Sequence, residues 1–438
     1  MGGRSTLEDV RRRLRMRELK PQQLEQVVFQ EVYGSDASKV AEACREAARL
    51  RCEEIEAKSS CALPLIKGSS VDNASLARGG LLTGIEMKVG AALIPLGIAG
   101  PVKIIGEHAN GEYYLPLATN EAALVAGVQR GVKAINLAGG LHTLVTFDGM
   151  TRAPLIEAPD IAAARALCRR LTSDAALLGE LRARVKDPFV RLEYVEPYQL
   201  ATKVFLRLVC KTGDAMGMNG VTKAAADIVR ALLVHLPGWK LLTISSNLCT
   251  DKKAAHVNVL KGRGKSVQAE VLVPEDVLRQ VFKAGVTAES VRSMVYHKCY
   301  LGSCLSGTVT GFNVNAANAV AAFFAATGQD LAQVATSSSV FTQADATPDG
   351  LHFMVSLPSL EIAAFGGGTG FGTARECLQL LGCATAGRSV DDNASVLRLA
   401  EICAAAVAAL DLNTACAQAA GYEMADSHVA LARGERET

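Results

Sequence analysis

The sequence predicts an α+β protein, and three changes of texture along its 438 residues carry that reading. Residues 1 to about 58 are charged and mostly pattern as helices. Residues from about 154 to 243 interleave helices with strands, as a small α+β layer does. The chain before and after that layer mixes short apolar strands with alanine-rich helices. At this length there is room for two or three domains, each with a sizeable core.

Taken in order, Pro21 breaks the first helical region, and Ser35-Asp36-Ala37-Ser38 marks a helix start before Lys39 to Ala57. From Leu93 the run Ile94-Pro95-Leu96-Gly97-Ile98-Ala99-Gly100-Pro101 reads as short strands and glycine turns. Thr119-Asn120 reads as the cap of a helix from Glu121 to about Leu137, which Gly139-Gly140 stops. In the layered stretch, Asp160 to Leu171 and Asp174 to Val185 read as helices. Val204 to Val209 follows as a strand, Val221 to Val234 as a helix and Leu241 to Ile244 as a strand. Beyond Ala254 come strands and then the helices Ala316 to Thr327, Glu376 to Leu381 and Asn393 to Ala419.

Composition excludes several classes. A net charge of +2 with 21% charged residues provides no basic field for nucleic acid. Apolar residues make up 49% but aromatics only 5%, which favours closely packed helices and oligomer contacts over an aromatic platform. The longest apolar runs, Ala319 to Ala326 and Ile402 to Leu410, are too short to span a bilayer, so a soluble protein is expected. Twelve cysteines without a CxxC pair read as reduced thiols of an intracellular protein, in cytoplasm or mitochondrial matrix. His297-x-Cys299-x4-Cys304 matches no common zinc spacing, and no metal is expected. Met1-Gly2 with Thr6 fits a loose myristoylation pattern, and Arg11 to Arg17 is basic enough for a targeting segment. The preferred reading is a solvated first helix. Gly262-Arg263-Gly264-Lys265-Ser266 ends like a phosphate loop, yet Val259 stands where its first glycine belongs. The glycines from Gly366 to Gly372 do not fit the dinucleotide fingerprint either, so a nicotinamide cofactor would not sit on an ordinary Rossmann turn.

Four dispersed polar residues make a chemically consistent set. Lys252 stands in the polar loop Ser245-Ser246-Asn247-Leu248-Cys249-Thr250-Asp251-Lys252-Lys253, a poor strand and a poor helix but a good anion holder. A lysine in a water-poor cleft neutralises an oxygen that gains charge during reaction. Glu121 opens a helix, Asp330 follows Gly328-Gln329 between two helices, and His428 lies near the chain end. Each alone is ordinary: a solvated turn, a first-turn glutamate, an N-cap and a surface histidine.

Together with their surroundings they resemble the 3-hydroxy-3-methylglutaryl-coenzyme A reductase family, in its soluble eukaryotic-type class. Pro116-Leu117-Ala118-Thr119-Asn120-Glu121 is similar to the catalytic-glutamate motif, and Asp148-Gly149-Met150-Thr151-Arg152 follows as in the family. Asp214-Ala215-Met216-Gly217-Met218-Asn219 resembles the cofactor motif and Thr250-Asp251-Lys252-Lys253 the substrate loop. Gly328-Gln329-Asp330 and Gly366-Gly367-Gly368-Thr369 are further signatures, and the likeness covers about residues 20 to 430. The resemblance implies a two-hydride reduction of a thioester to mevalonate, in isoprenoid and sterol biosynthesis. Lys252 would stabilise the oxyanion, and Glu121 would protonate it from a shielded site. Asp330 would sit between them and hold Lys252, and His428 would protonate the departing thiolate. Arg152, Ser245, Asp251, Lys253, Lys298 and Asn318 occupy positions that hold the hydroxymethylglutaryl end. Arg130 and Lys133, one turn apart, would meet the coenzyme A phosphates or form a solvated face. Asp214, Met216, Gly217, Met218 and Asn219 would hold the cofactor.

The same likeness implies a helical region over 1–80, a large substrate and coenzyme A domain over 81–152 and 244–438, and an inserted ferredoxin-like cofactor domain over 153–243. It also implies a homodimer or homotetramer with active sites at the dimer interface. The chain departs from the family at three places. Asn315 replaces a site histidine. Asp187-Pro188 replaces a Ser-Arg pair that meets the 2′-phosphate, so NADPH is expected with NADH as rival. Asp426 replaces a basic residue before His428, and Gly434 stands where a regulatory serine would. Glu86 keeps the glutamate of a dimer-forming segment. These departures motivate one alternative, a weakly active or non-catalytic paralogue that binds coenzyme A.

Overall fold

The structure is a computed structural model that describes residues 4–59, 61–69, 75–77, 80–82, 84–283, 285–385, 387 and 389–426. The chain divides into two compact units. One comprises Met1–Ile94 with Gly370–Arg375, and the other Pro95–Thr369 with Glu376–Thr438.

In the first unit, helix α1 (Leu7–Arg15) starts at Thr6, whose hydroxyl accepts the Asp9 N–H while Asp9 reaches back, a capping box. Asp36 caps a short turn, Ala37–Lys39, that leads into α2 (Val40–Ser59). Arg51 of α2 is buried against Glu25 and donates to the Pro21 carbonyl. That contact anchors the segment where proline had broken the helix.

The second unit is built on strands β1 (Leu96–Gly106), β2 (Asn110–Ala118), β3 (Leu141–Arg152), β4 (Leu155–Glu157), β5 (Arg191–Leu200), β6 (Lys203–Lys211), β7 (Lys240–Thr243), β8 (Gly264–Val273), β9 (Phe341–Thr347) and β10 (Gly350–Leu360). The larger array runs β9-β10-β8-β3, and β3 then pairs with β1 in parallel and β1 with β2. The expected short strands near Leu93 are one long strand, β1. Its pairing shifts register between Ala99 and Val102, around the proline that cannot donate to the ladder.

Strand β3 outlasts this array, and its last residues, Met150 to Arg152, pair with β6 instead. There a second array runs β5-β6-β4-β7. With α3 (Leu124–Leu137) set aside, helices α4 (Ile161–Ser173), α5 (Ala175–Arg184) and α6 (Met218–Val234) complete a β-α-α-β-β-α-β order around a hydrophobic core of their own, from Met150 to Leu232. Asp160 and Asp174 cap α4 and α5, as their spacing predicts.

Helices α7 (Ala316–Thr327) and α8 (Ala394–Ala419) pack within the larger core. Every residue of α8 from Leu399 to Ala417 is buried, which a mostly alanine sequence permits. Its two buried acids pin distant loops. Glu401 accepts the N–H groups of His108 and Ala109, and Asp411 accepts those of Val314 and Asn315 at the start of α7. Among the described residues no helix is long and apolar enough to cross a membrane.

Candidate active site

The loop after β7 carries the strongest local signal in the backbone. Asn247, Thr250 and Lys252 all adopt positive φ, at 65°, 56° and 57°. For Thr250 and Lys252 this conformation costs on the order of 1–2 kcal/mol each, so the surroundings must impose it. Thr250 is held by its hydroxyl, which bonds the Asn258 side chain and the Cys249 carbonyl. Asp251 is gripped from three sides. Its Oδ1 accepts from Arg263 Nη2 and Gln333 Nε2, both at 3.0 Å, and its Oδ2 lies 3.7 Å from Arg152 Nη1. Burial works to raise the Asp251 pKa, but Gln333, Arg263 and Arg152 outweigh it and hold the carboxyl below its usual range.

Those restraints aim Lys252 outward, where its Nζ meets Asp330 Oδ2 at 3.0 Å with both side chains partly exposed. Asp330 is also the N-cap foreseen as its ordinary role, since its Oδ1 accepts the Ala332 N–H. Two glycine motifs are stacked to place it. A Cβ on Gly368 would sit 2.5 Å from the Gly328 carbonyl oxygen, so only glycine allows the approach. Gln329 completes the clamp by exchanging hydrogen bonds with the Ala363 backbone.

Arg152 donates from Nη1 to Ser245 Oγ at 2.9 Å, and from Nε and Nη2 to Thr222. Cys249 lies beside them. Burial works to raise its pKa, yet Ser245, the Asp251 N–H and Arg152 together bring the thiol below its usual value. Lys253 donates to the Asp251 carbonyl. Lys298 is exposed on the π-helical segment Tyr296–Gly302 and makes no hydrogen bond or ion pair among the described residues.

Glu121 lies elsewhere. Helix α3 starts at Leu124, three residues later than predicted, because Ala123 adopts φ 70° and Thr119 Oγ1 accepts the Glu121 N–H in a local turn. Glu121 is exposed rather than shielded, and its Oε2 accepts from Asn318 Nδ2 at 2.7 Å. Asn318 is in the first turn of α7 and Asp330 lies beyond its last, roughly 14 Å away along the helix axis at 1.5 Å per residue. Within one chain Asp330 therefore touches Lys252 but does not stand between Lys252 and Glu121. A cavity of about 250 Å³ opens beside Glu121, lined also by Asn315, Arg130, Asn413 and Met424. Arg130 is not a free cation there. It pairs with Glu423, donates to Asn413 and lies 5.3 Å from the Phe282 ring centre, whereas Lys133 is exposed. His428 and Gly434 lie outside the described residues. Asp426 is described, 3.8 Å from Lys283 Nζ.

The expected cofactor motif leads into α6. Asp214 is buried and committed to the backbone, accepting the Val396 and Gly387 N–H groups, with burial pushing its pKa up. These bonds tie the motif to the backbone at Gly387 and Val396. Gly217 begins the helix at φ 87°, with Thr212 where a Cβ would go. Asn219 is exposed on the first turn, Met216 is half-buried and Met218 is buried against Arg263. The N–H groups at the head of this 17-residue helix suit the phosphates of a dinucleotide. Asp187 lies beside that first turn, its Oδ1 accepting the Phe189 N–H. Of the His297, Cys299 and Cys304 set, Cys299 is buried in the larger core and Cys304 is exposed.

Sequence reasoning missed Arg263 and Glu361. Arg263 is fully buried, between Asp251 and Glu361 Oε1 at 2.7 Å. The signal for Glu361 was present, a lone acid in the mostly apolar stretch Leu357 to Ala364.

A sequence profile of the hydroxymethylglutaryl-coenzyme A reductase family matches residues 47–433. The chain is 40% identical over 420 residues to the 3-hydroxy-3-methylglutaryl-coenzyme A reductase of Aeropyrum pernix, covering 95% of this chain and 97% of that one. It is 37% identical to 3-hydroxy-3-methylglutaryl-coenzyme A reductase 3 of Oryza sativa, over 96% of this chain and 74% of the relative. The class II enzyme of Streptococcus pneumoniae, solved with NADPH in open conformations, shares the fold at a TM-score of 0.59 and 19% identity. That match covers 84% of this chain and 96% of that one. The chain belongs to the hydroxymethylglutaryl-coenzyme A reductase family.

Proposed function

We propose that this family member reduces 3-hydroxy-3-methylglutaryl-coenzyme A to mevalonate and free coenzyme A, in the mevalonate route to isoprenoids. The observation that carries the reading is the strained loop that delivers Lys252 to Asp330, with Arg152 and Ser245 bonded beside it. A nicotinamide cofactor, when bound, supplies the two hydrides that the change from thioester to alcohol requires.

The chain supplies charge and protons. Lys252, held by Asp330, neutralises the carbonyl oxygen as it becomes an oxyanion, and Glu121 donates the proton to it. His428 protonates the thiolate that leaves. Arg152, Ser245, Asp251, Lys253, Lys298 and Asn318 hold the acyl end, with the cations facing its carboxylate. Lys133 takes a coenzyme A phosphate, and Arg130 joins it once Glu423 releases it. The head of α6, with Gly217 and Asn219, takes the dinucleotide phosphates. NADPH is the expected cofactor. Asp187 beside that helix start makes NADH the rival, because a carboxylate repels a 2′-phosphate and accepts from a free ribose hydroxyl.

Because Glu121 and Lys252 lie at opposite ends of α7 and both are exposed, the working site is completed between two copies. The protein is a homodimer or a homotetramer of such dimers. In an isologous dimer the Glu121 of one copy faces the Lys252 of the other.

The test is the nicotinamide absorbance of the purified chain with the acyl-coenzyme A and NADPH or NADH in parallel. Substrate-dependent oxidation, lost in Lys252→Ala, is the expected outcome. Asp187→Ser should raise the NADPH rate relative to NADH. A folded protein that binds the acyl-coenzyme A and oxidises neither cofactor is instead the non-catalytic paralogue.

A further inference from the structure

Glu361 follows the last residue of β10 and is 1% exposed. Its N–H donates to Ser337 Oγ, but neither carboxyl oxygen accepts a hydrogen bond among the described residues. Oε1 lies 2.7 Å from Arg263 Nε, close enough for an ion pair yet without the alignment of a hydrogen bond. Arg263 directs its other nitrogens elsewhere, Nη1 to Thr151 and Nη2 to Asp251. A carboxylate buried in this way has lost its water and gained no donors, which disfavours the charged form. Burial is the largest influence and pushes the pKa up to about 8. Arg263 pulls against it, while Asp251, Asp330 and Cys249 add to the rise.

We propose that Glu361 is a positioning residue for the reduction, a buried proton holder that sets, through Arg263 and Asp251, the charge beneath Lys252. The proposal rests on the reductase reading above. The groups facing Glu361 come from every neighbouring element. The loop brings Asp251 and Cys249 with Lys252 next in sequence, the turn before β8 brings Arg263, and the turn after α7 brings Asp330. With Glu361 protonated, the cations Arg152, Lys252 and Arg263 outnumber the carboxylates Asp251 and Asp330 by one. That surplus suits an anionic acyl group and a developing oxyanion. When Glu361 loses its proton, a third carboxylate cancels the surplus. Turnover therefore falls as pH rises through the Glu361 titration.

The experiment is the pH profile of kcat and kcat/KM for 3-hydroxy-3-methylglutaryl-coenzyme A, using the full chain as wild type, Glu361→Gln and Glu361→Asp. The wild type should lose about tenfold in kcat across an alkaline limb. Glu361→Gln, which mimics the protonated carboxyl, should lack that limb, and Glu361→Asp should keep it at a displaced pH. A uniform loss in Glu361→Gln with the limb unmoved overturns the proposal, because that is what a purely structural residue would give. Should Glu361→Gln not fold, Glu361→Asp decides, and an unmoved limb there overturns it. A wild type without turnover sinks the reductase reading alone. The pH dependence of acyl-coenzyme A binding by calorimetry then decides on Glu361, and identical wild-type and Glu361→Gln profiles overturn its role.

Discussion

At its C-terminal end, α7 hands Asp330 to a lysine whose loop is fixed from below by a buried arginine. At its N-terminal end it hands Asn318 to a carboxylate that stands in solvent beside an open cavity. The first end is organised by the chain itself. Three residues are held at positive φ, Asp251 is bonded from two elements, and the glycines of two motifs touch. Among the described residues the Glu121 carboxylate has one hydrogen-bond donor, Asn318, and stays exposed, although Asp411 fixes the backbone at the start of α7. An acid that must deliver a proton needs shielding from water, so the proposed role of Glu121 requires that a partner copy complete the second end.

Removing the support of the first end should have the largest effect on stability. Arg263→Met leaves Asp251 and Glu361 facing one another without their shared cation, and breaking a buried ion pair this way costs about 3–5 kcal/mol. Chemical denaturation should show that loss. A drop near zero would mean that the loop holds its strained backbone without the arginine.

Comparison of the two ends also predicts how their variants combine. Lys252→Ala and Glu121→Gln should each lower kcat about 10²–10³-fold, the scale expected when a group that stabilises the oxyanion is lost. If the ends meet across two copies, an equimolar mixture of the two inactive variants should recover about a quarter of the wild-type rate. Random exchange makes half the dimers mixed, and each mixed dimer keeps one intact site. A mixture as inactive as its components would place both groups in one chain's site and remove the argument for a shared one.

The same contrast explains what the sequence made legible. Segments whose structure depends on near neighbours were readable, as with α7, which matches its predicted bounds, and α4 and α5 with their aspartate caps. Lys252, Asp330, Arg152 and Ser245 stood out because their motifs are long and their loop is polar. The start of α3 was misread because Thr119 and Asn120 suit a cap, while the positive φ of Ala123 is a tertiary demand that no alanine signals. The motif around Asp214 does not say which of its residues face inward, and only the fold shows that Asp214 is buried against the Gly387 and Val396 backbone. Arg263 was weighed only as part of a failed phosphate loop. Its actual partners, Asp251 and Glu361, lie 12 and 98 residues away in sequence, and only folding brings them together.

The smallest stability change should come from the pair proposed to act in the chemistry. Lys252 and Asp330 are 42% and 38% exposed, and an ion pair so hydrated contributes on the order of 0.2–1 kcal/mol. Asp330→Asn should therefore leave the unfolding midpoint almost unmoved. In turnover the same variant should be severe, since an amide no longer holds the ammonium where the oxyanion forms. The two measurements separate the roles of the ends of this network, Arg263 acting below on the fold and Asp330 above on the reaction. A midpoint that falls as far in Asp330→Asn as in Arg263→Met would show the pair to be part of the scaffold. Equal turnover in Asp330→Asn and wild type would show that the loop alone orients Lys252.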